Sequence, residues 1–200
     1  MNRSNIFSAM VVLMLLMLAS CHENYTPKPR GYFRIDLPES SYVKFDSVGF
    51  PYSFEYPVYA SVSSDPYAPD QKYWLNINYP EFKATLHLSY KPVQNDLVSI
   101  LNDAYTLVSK HISKADAIYD SLVINPDKKV YGTVFDIEGI GVASPYQFYV
   151  TDSTSHYLRG ALYFNVHPNN DSLKPVIQFI KKDIDHFISS LSWKNYGKDR

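Results

Sequence analysis

From Gly31 onward, apolar and polar positions alternate in short runs closed by Pro, Asp and Ser, the period-two pattern of half-buried strands. Phe33, Ile35 and Leu37 alternate with Arg34 and Asp36, Val43 and Phe45 with Lys44 and Asp46, and Phe54 and Tyr56 flank Glu55. Ser61 to Gln71 is rich in Ser, Asp and Pro and reads as a surface loop. Leu75, Ile77 and Tyr79, then Ala84, Leu86, Leu88 and Tyr90, predict two strands joined as a hairpin through Tyr79-Pro80-Glu81-Phe82. Past Pro92 the period becomes helical. Leu97, Ile100, Leu101, Ala104, Leu107, Val108, His111 and Ile112 share one stripe, with Asn95 or Asp96 as N-cap and an end near Lys114. Strand chemistry returns at Ile118 to Ile124 and Val130 to Ile137, around the turn Asn125-Pro126-Asp127-Lys128. Gln147 to Thr151 and Tyr157 to Val166 form a further hairpin through Asp152-Ser153-Thr154-Ser155. Leu173 to Trp193 carries the strongest helical stripe, Val176, Ile177, Ile180, Ile184, Phe187, Ile188 and Leu191, with Pro175 in the first turn.

Strands, helix, strands and helix, linked by hairpins, predict an α+β fold: a mainly antiparallel sheet packed with two main helices as an α/β/α sandwich. The order and the closing helix look like the PsbP-like sandwich, an analogy of fold alone. A single globular α+β domain is expected over 31–194, with 195–200 a frayed tail.

The chain begins differently. Met1 to Ser20 carries one early charge, Arg3, then an apolar run from Ala9 to Leu18, shorter than the roughly 20 residues that span a bilayer. Leu18-Ala19-Ser20-Cys21 follows, so 1–20 reads as a lipoprotein signal peptide ending in a lipobox. Cys21 is the only cysteine, which excludes a disulfide framework and makes it the expected lipidation site. Residues 21–30 contain Pro27 and Pro29 and read as a tether. The nine residues after Cys21, 22–30, at roughly 3 Å each, keep the folded body within about 30 Å of the bilayer. His22 rather than Asp after the cysteine, with no acidic run, points to the outer membrane and its periplasmic face.

Charge and composition narrow the function. Nineteen Lys and Arg against 20 Asp and Glu, net -1, lack the cationic footprint of a nucleic-acid binder. Gly-x-Ser-x-Gly, a Walker loop and GxGxxG are all missing, so neither an enzyme nor a cofactor is expected. His22, His87, His111, His156, His167 and His186 show no paired metal-ligand spacing and read as scattered surface and helix-edge residues, without a metal site. Asp136 and Glu138 share one strand face and read as two solvated carboxylates. One stretch concentrates Lys28, Arg30 and Arg34 beside Tyr32 and Phe33, and holds two of the four arginines that remain after cleavage. Guanidinium groups grip carboxylates and phosphates in a fixed fork, so Lys28, Arg30, Tyr32 and Arg34 are candidates for an interaction surface toward lipid head groups or an acidic partner. The competing reading has Arg30 and Arg34 pinning the first strand to carboxylates of the domain itself.

Pro27-Lys-Pro-Arg-Gly-Tyr-Phe-Arg-Ile-Asp-Leu-Pro38, Phe54-Glu-Tyr-Pro57, Trp74-Leu-Asn-Ile-Asn-Tyr-Pro80 and Phe82-Lys-Ala-Thr-Leu-His-Leu-Ser-Tyr90, in that order, resemble the gliding motility lipoprotein GldD family of Bacteroidota. The resemblance implies a cell-envelope lipoprotein needed for gliding and type IX protein secretion, with no catalytic residues to carry over. Its expected partners are the membrane, through the lipid anchor, and other envelope lipoproteins or secretion and motility components. The alternative is a periplasmic module that binds a lipid or small apolar ligand between sheet and helices. A filled core with an exposed aromatic patch favours the first reading, and a continuous apolar cavity the second.

Overall fold

A computed structural model describes residues 35–194. The signal peptide, Cys21, the tether, Lys28, Arg30, Tyr32, Arg34 and the 195–200 tail lie outside the described residues. In chain order the elements are β1 (Tyr42–Phe45), β2 (Tyr52–Pro57), β3 (Ser61–Ser64), β4 (Leu75–Tyr79), β5 (Ala84–Pro92) and α1 (Leu97–Ser109). There follow β6 (Ala117–Asn125), β7 (Val130–Glu138), β8 (Tyr146–Thr151), β9 (His156–Phe164), α2 (Asn170–Ser190) and β10 (Ser192–Trp193). Seven strands form one antiparallel sheet in the order β3-β4-β5-β9-β8-β7-β6, and β1-β2-β10 form a second.

Strand periodicity sorts the side chains into two cores. Val134, Phe148, Val150, Leu158 and Leu162 pack with Val176, Ile180, Ile184 and Phe187 of α2, whereas Phe135, Ile137, Tyr149 and Tyr157 pack with Ile100, Ala104 and Val108 of α1. Neighbouring strand residues point to opposite faces, so the helices cover opposite sides of the large sheet and the fold is the α+β, α/β/α sandwich that the pattern predicts. The small sheet joins the α2 side, where Phe54 of β2 meets Phe187 at a ring separation of 4.7 Å. The turns have local causes. Asn125 Oδ1 accepts the Lys128 N–H, and Asp152 Oδ1 accepts the N–H groups of Thr154, Ser155 and His156.

Four expectations need correction. Residues 35–40 form no strand, and Ile35 and Leu37 are 37% and 41% exposed, because their alternation meets no partner strand. The Ser61 to Gln71 loop starts as β3, whose Val62 pairs with Ile77 of β4. The first helix stops at Ser109, with a 3-10 turn at Ile112–Lys114, and Asp96 accepts the Gln94 N–H instead of capping the helix with its side chain. The last helix starts at Asn170, which moves Pro175 past the first turn, and it ends at Ser190, so that Trp193 pairs with Tyr52 as a strand residue.

Candidate interaction surface

β6 ends the large sheet: β7 pairs with it on one side, and no strand among the described residues pairs with the other. Long edge strands are usually guarded by Lys, Pro or a bulge. The nine residues of β6, AIYDSLVIN, carry one charge, the exposed Asp120, and neither Lys nor Pro, and their register with β7 runs unbroken from Ala117 to Asn125. Leu122 and Ile124 are 74% and 69% exposed on the α1 side, and Tyr119 is 58% exposed on the other. Beneath Tyr119 an open groove of about 550 Å³ runs between β6 and α2, lined by Val123, Val134, Tyr146, Asp185 and Ile188 among others. Its polar wall is ordered by Tyr146, whose hydroxyl donates to Asp185 Oδ1 at 2.7 Å; burial and that carboxylate push the hydroxyl pKa upward. Lys181 bonds both oxygens of Asp136 at 2.6 Å and lies 5.2 Å from the centre of the Tyr146 ring. Asp136 is therefore an ion-paired residue of the groove rather than a solvated one, while Glu138 on the same strand is exposed.

Sequence reasoning placed β6 but missed its exposure. The available signal was the double apolar face, Ile118, Leu122 and Ile124 on one side and Tyr119 and Val123 on the other, in a strand at the end of a run of hairpins.

The described histidines are dispersed. His87 Nδ1 lies 2.8 Å from Asn76 Oδ1, His156 Nδ1 lies 2.8 Å from the Tyr90 hydroxyl, and His186 Nε2 lies 2.7 Å from Glu55 Oε2. Among the described residues no group of three or more His, Cys, Asp or Glu is placed to hold a metal ion. One titratable cluster went unforeseen. Asp183, 1% exposed in α2, accepts the hydroxyls of Tyr42 at 3.0 Å and Tyr59 at 2.7 Å, and His186 stacks on Tyr42 at 3.6 Å. Burial raises the Asp183 pKa, and the two tyrosine hydrogen bonds only partly offset it. This cluster ties β1 and the β2–β3 turn to α2.

The described body is thus an α/β/α sandwich that displays a strand edge guarded by a single charge, Asp120, beside an open, partly acidic groove. The family model for the gliding motility lipoprotein GldD matches residues 22–193, and the chain belongs to that family. It is a gliding-motility lipoprotein of the cell envelope. A comparison with curated proteins yields no match. Among solved structures the chain is similar to the solution structure of cyanobacterial PsbP (CyanoP) from Synechocystis sp. PCC 6803, with a TM-score of 0.48 and 10% identity over 89% of this chain and 99% of that one.

Proposed function

We propose that the chain is a non-enzymatic scaffold of the gliding and type IX secretion machinery, anchored through Cys21 to the outer membrane and facing the periplasm. The observation that carries this reading is the β6 edge with exposed Tyr119, Leu122 and Ile124, because an exposed apolar strand edge pairs readily with another chain. Tyr52, Phe54, Phe148 and Phe187 fill the space between α2 and its sheets, which is where the alternative reading needs an apolar ligand cavity. The groove beside β6 is open and bordered by Asp136 and Asp185, poor company for a lipid tail. Lys28, Arg30, Tyr32 and Arg34 supply a second, cationic contact close to the anchor.

A photo-crosslinking residue at position 119, an exposed site of the same strand, tests the reading in living cells. Leu122→Lys combined with Ile124→Lys should change stability by no more than about 0.5 kcal/mol, as exposed substitutions do, yet abolish crosslinks to envelope partners and impair gliding and secretion. Normal crosslinking, gliding and secretion in that variant would overturn it, as would a lipid co-purifying in stoichiometric amount. Arg30→Ala with Arg34→Ala separates contact from structure: a stable chain with reduced crosslinking supports contact, and loss of the folded protein identifies the arginines as pins.

A further inference from the structure

The two faces of β6 differ in what they offer an added strand. The register with β7 sets Ile118 opposite Ile137, Asp120 opposite Phe135 and Leu122 opposite Thr133, so Ile118, Asp120, Leu122 and Ile124 lie on the α1 side. Tyr119, Ser121 and Val123 lie on the groove side, opposite Asp136, Val134 and Gly132. Asp120 therefore stands on its face between apolar Ile118 and Leu122. It is exposed and makes no hydrogen bond or ion pair among the described residues. On the groove side Lys181 is committed to Asp136, and Lys128, near the Asn125 end, donates to Ser189 O. Asp185, exposed on α2, engages only Oδ1, with the Tyr146 hydroxyl, and has no ion pair among the described residues. Each face of the edge thus carries one carboxylate without a bound cation.

An added strand pairs its main chain with the outward N–H and C=O groups of the edge, while its side chains decide which chain fits. A second copy of this chain fits poorly. In the antiparallel register that pairs all nine residues, Ser121 faces its own counterpart and each Asp120 faces Leu122. The two Asp120 carboxylates then fall on a diagonal of one face, within about 8 Å of each other. A cation at the position opposite Asp120 reverses that balance. We propose that β6 accepts, as an eighth strand of the large sheet, an extended segment of an envelope protein with Lys or Arg opposite Asp120 and apolar side chains opposite Ile118 and Leu122. The alternate side chains of that segment enter the groove, where a basic or aromatic residue meets Asp185 and Tyr119. This partner chemistry rests on the scaffold reading of the same edge and specifies what the edge takes. Repulsion between like carboxylates turns away a second copy, and the same carboxylate selects the cation.

The test uses the full lipidated chain in detergent and a fluorescent synthetic peptide, Ser-Thr-Thr-Val-Arg-Lys-Tyr-Val-Ser, which matches the nine residues of β6 and, paired antiparallel, sets Lys opposite Asp120. Anisotropy should show saturable binding, and hydrogen exchange should show new protection at alternate amides of 117–125. Replacing the peptide Lys by Glu should weaken binding about threefold, and Asp120→Lys should invert that preference. Methylating the peptide amides that face β6 should weaken binding about tenfold, because the main-chain donors are lost. No saturable binding overturns the proposal, as does a preference for Lys over Glu that Asp120→Lys leaves unchanged. So does full protection of 117–125 before peptide is added, or a dimer in sedimentation that excludes the peptide, since either shows the edge already covered. If Asp120→Lys does not fold, Asp120→Asn decides: equal affinity for the two peptides supports the proposal and an undiminished preference overturns it. Crosslinks from position 119 that persist while the peptide fails to bind overturn strand addition and leave the scaffold reading standing. Peptide binding without any crosslink in cells supports the edge chemistry and overturns the scaffold reading alone.

Discussion

Gly160 lies in β9 where a Cβ would come within 2.2 Å of the Phe148 ring, itself buried against Phe187 at 5.7 Å. Neither ring has room to retreat, so Gly160→Ala should cost about 1–3 kcal/mol, read as a lower urea midpoint. Asp183 makes a prediction of opposite character. Its folded pKa is raised above the ordinary carboxylate value of 3.8, so the folded state holds the proton more tightly than the unfolded chain does. The resulting stability is fully present below pH 3.8 and is lost as pH rises through the raised folded value. Asp183→Asn keeps an acceptor for Tyr42 and Tyr59 without the charge, and should remove that decline in urea titrations run at a series of pH values. Asp183→Ala leaves two half-buried hydroxyls without their partner and should cost about 1–3 kcal/mol at any pH. The position was legible in part: it falls inside the stripe from Ile180 to Phe187, where an aspartate is out of place, although nothing along the chain shows that Tyr42 and Tyr59, more than a hundred residues earlier, will meet it. His87 reads along the chain as one of the scattered histidines, yet it is half-buried on its strand with its ring 2.8 Å from Asn76 Oδ1, a cross-strand partner that sequence spacing does not show.

Elements whose pattern and partner are both local were read well. The β4–β5, β6–β7 and β8–β9 hairpins all follow the expected alternation, because their turn chemistry lies between the strands it joins. Alternation alone does not create a partner, which is why residues 35–40 form no strand despite their pattern, and Ser61–Ser64 is a strand only because β4 lies beside it. The end of α2 shows the same limit. Trp193 continues the helical sequence pattern, yet it leaves the helix to pair with Tyr52, stack on His156 at 5.1 Å and donate its indole N–H to Lys129 O at 3.0 Å. Those three contacts join β2, β9 and the β6–β7 turn, and local periodicity contains none of them. Trp193→Ala should therefore cost about 1–3 kcal/mol, whereas Trp193→Phe should recover most of that loss by keeping a ring against His156, as measured by thermal or urea unfolding.

The two cores differ in size, and stability should follow. The α2 side joins residues from both sheets, including Tyr52, Phe54, Leu75, Phe148 and Leu162, whereas the α1 side rests on Ile100, Ala104, Val108, Phe135, Ile137, Val142, Tyr149 and Tyr157. Only three residues of α1 are buried, against eight in α2, and Val98, Tyr105 and Leu107 of α1 stay partly exposed. A helix with so short a buried stripe opens at a lower free energy than the sheet it covers. In hydrogen exchange, amides of 97–109 should exchange before those of 176–188. Val108→Ala should accelerate α1 exchange while leaving α2 nearly unchanged, whereas Ile180→Ala, at a site with 0% exposure, should cost about 2–5 kcal/mol and accelerate exchange throughout the body. Equal protection of both helices would show that α1 unfolds only with the whole domain, and would mean that the α1 core is bound more firmly than its small buried set implies.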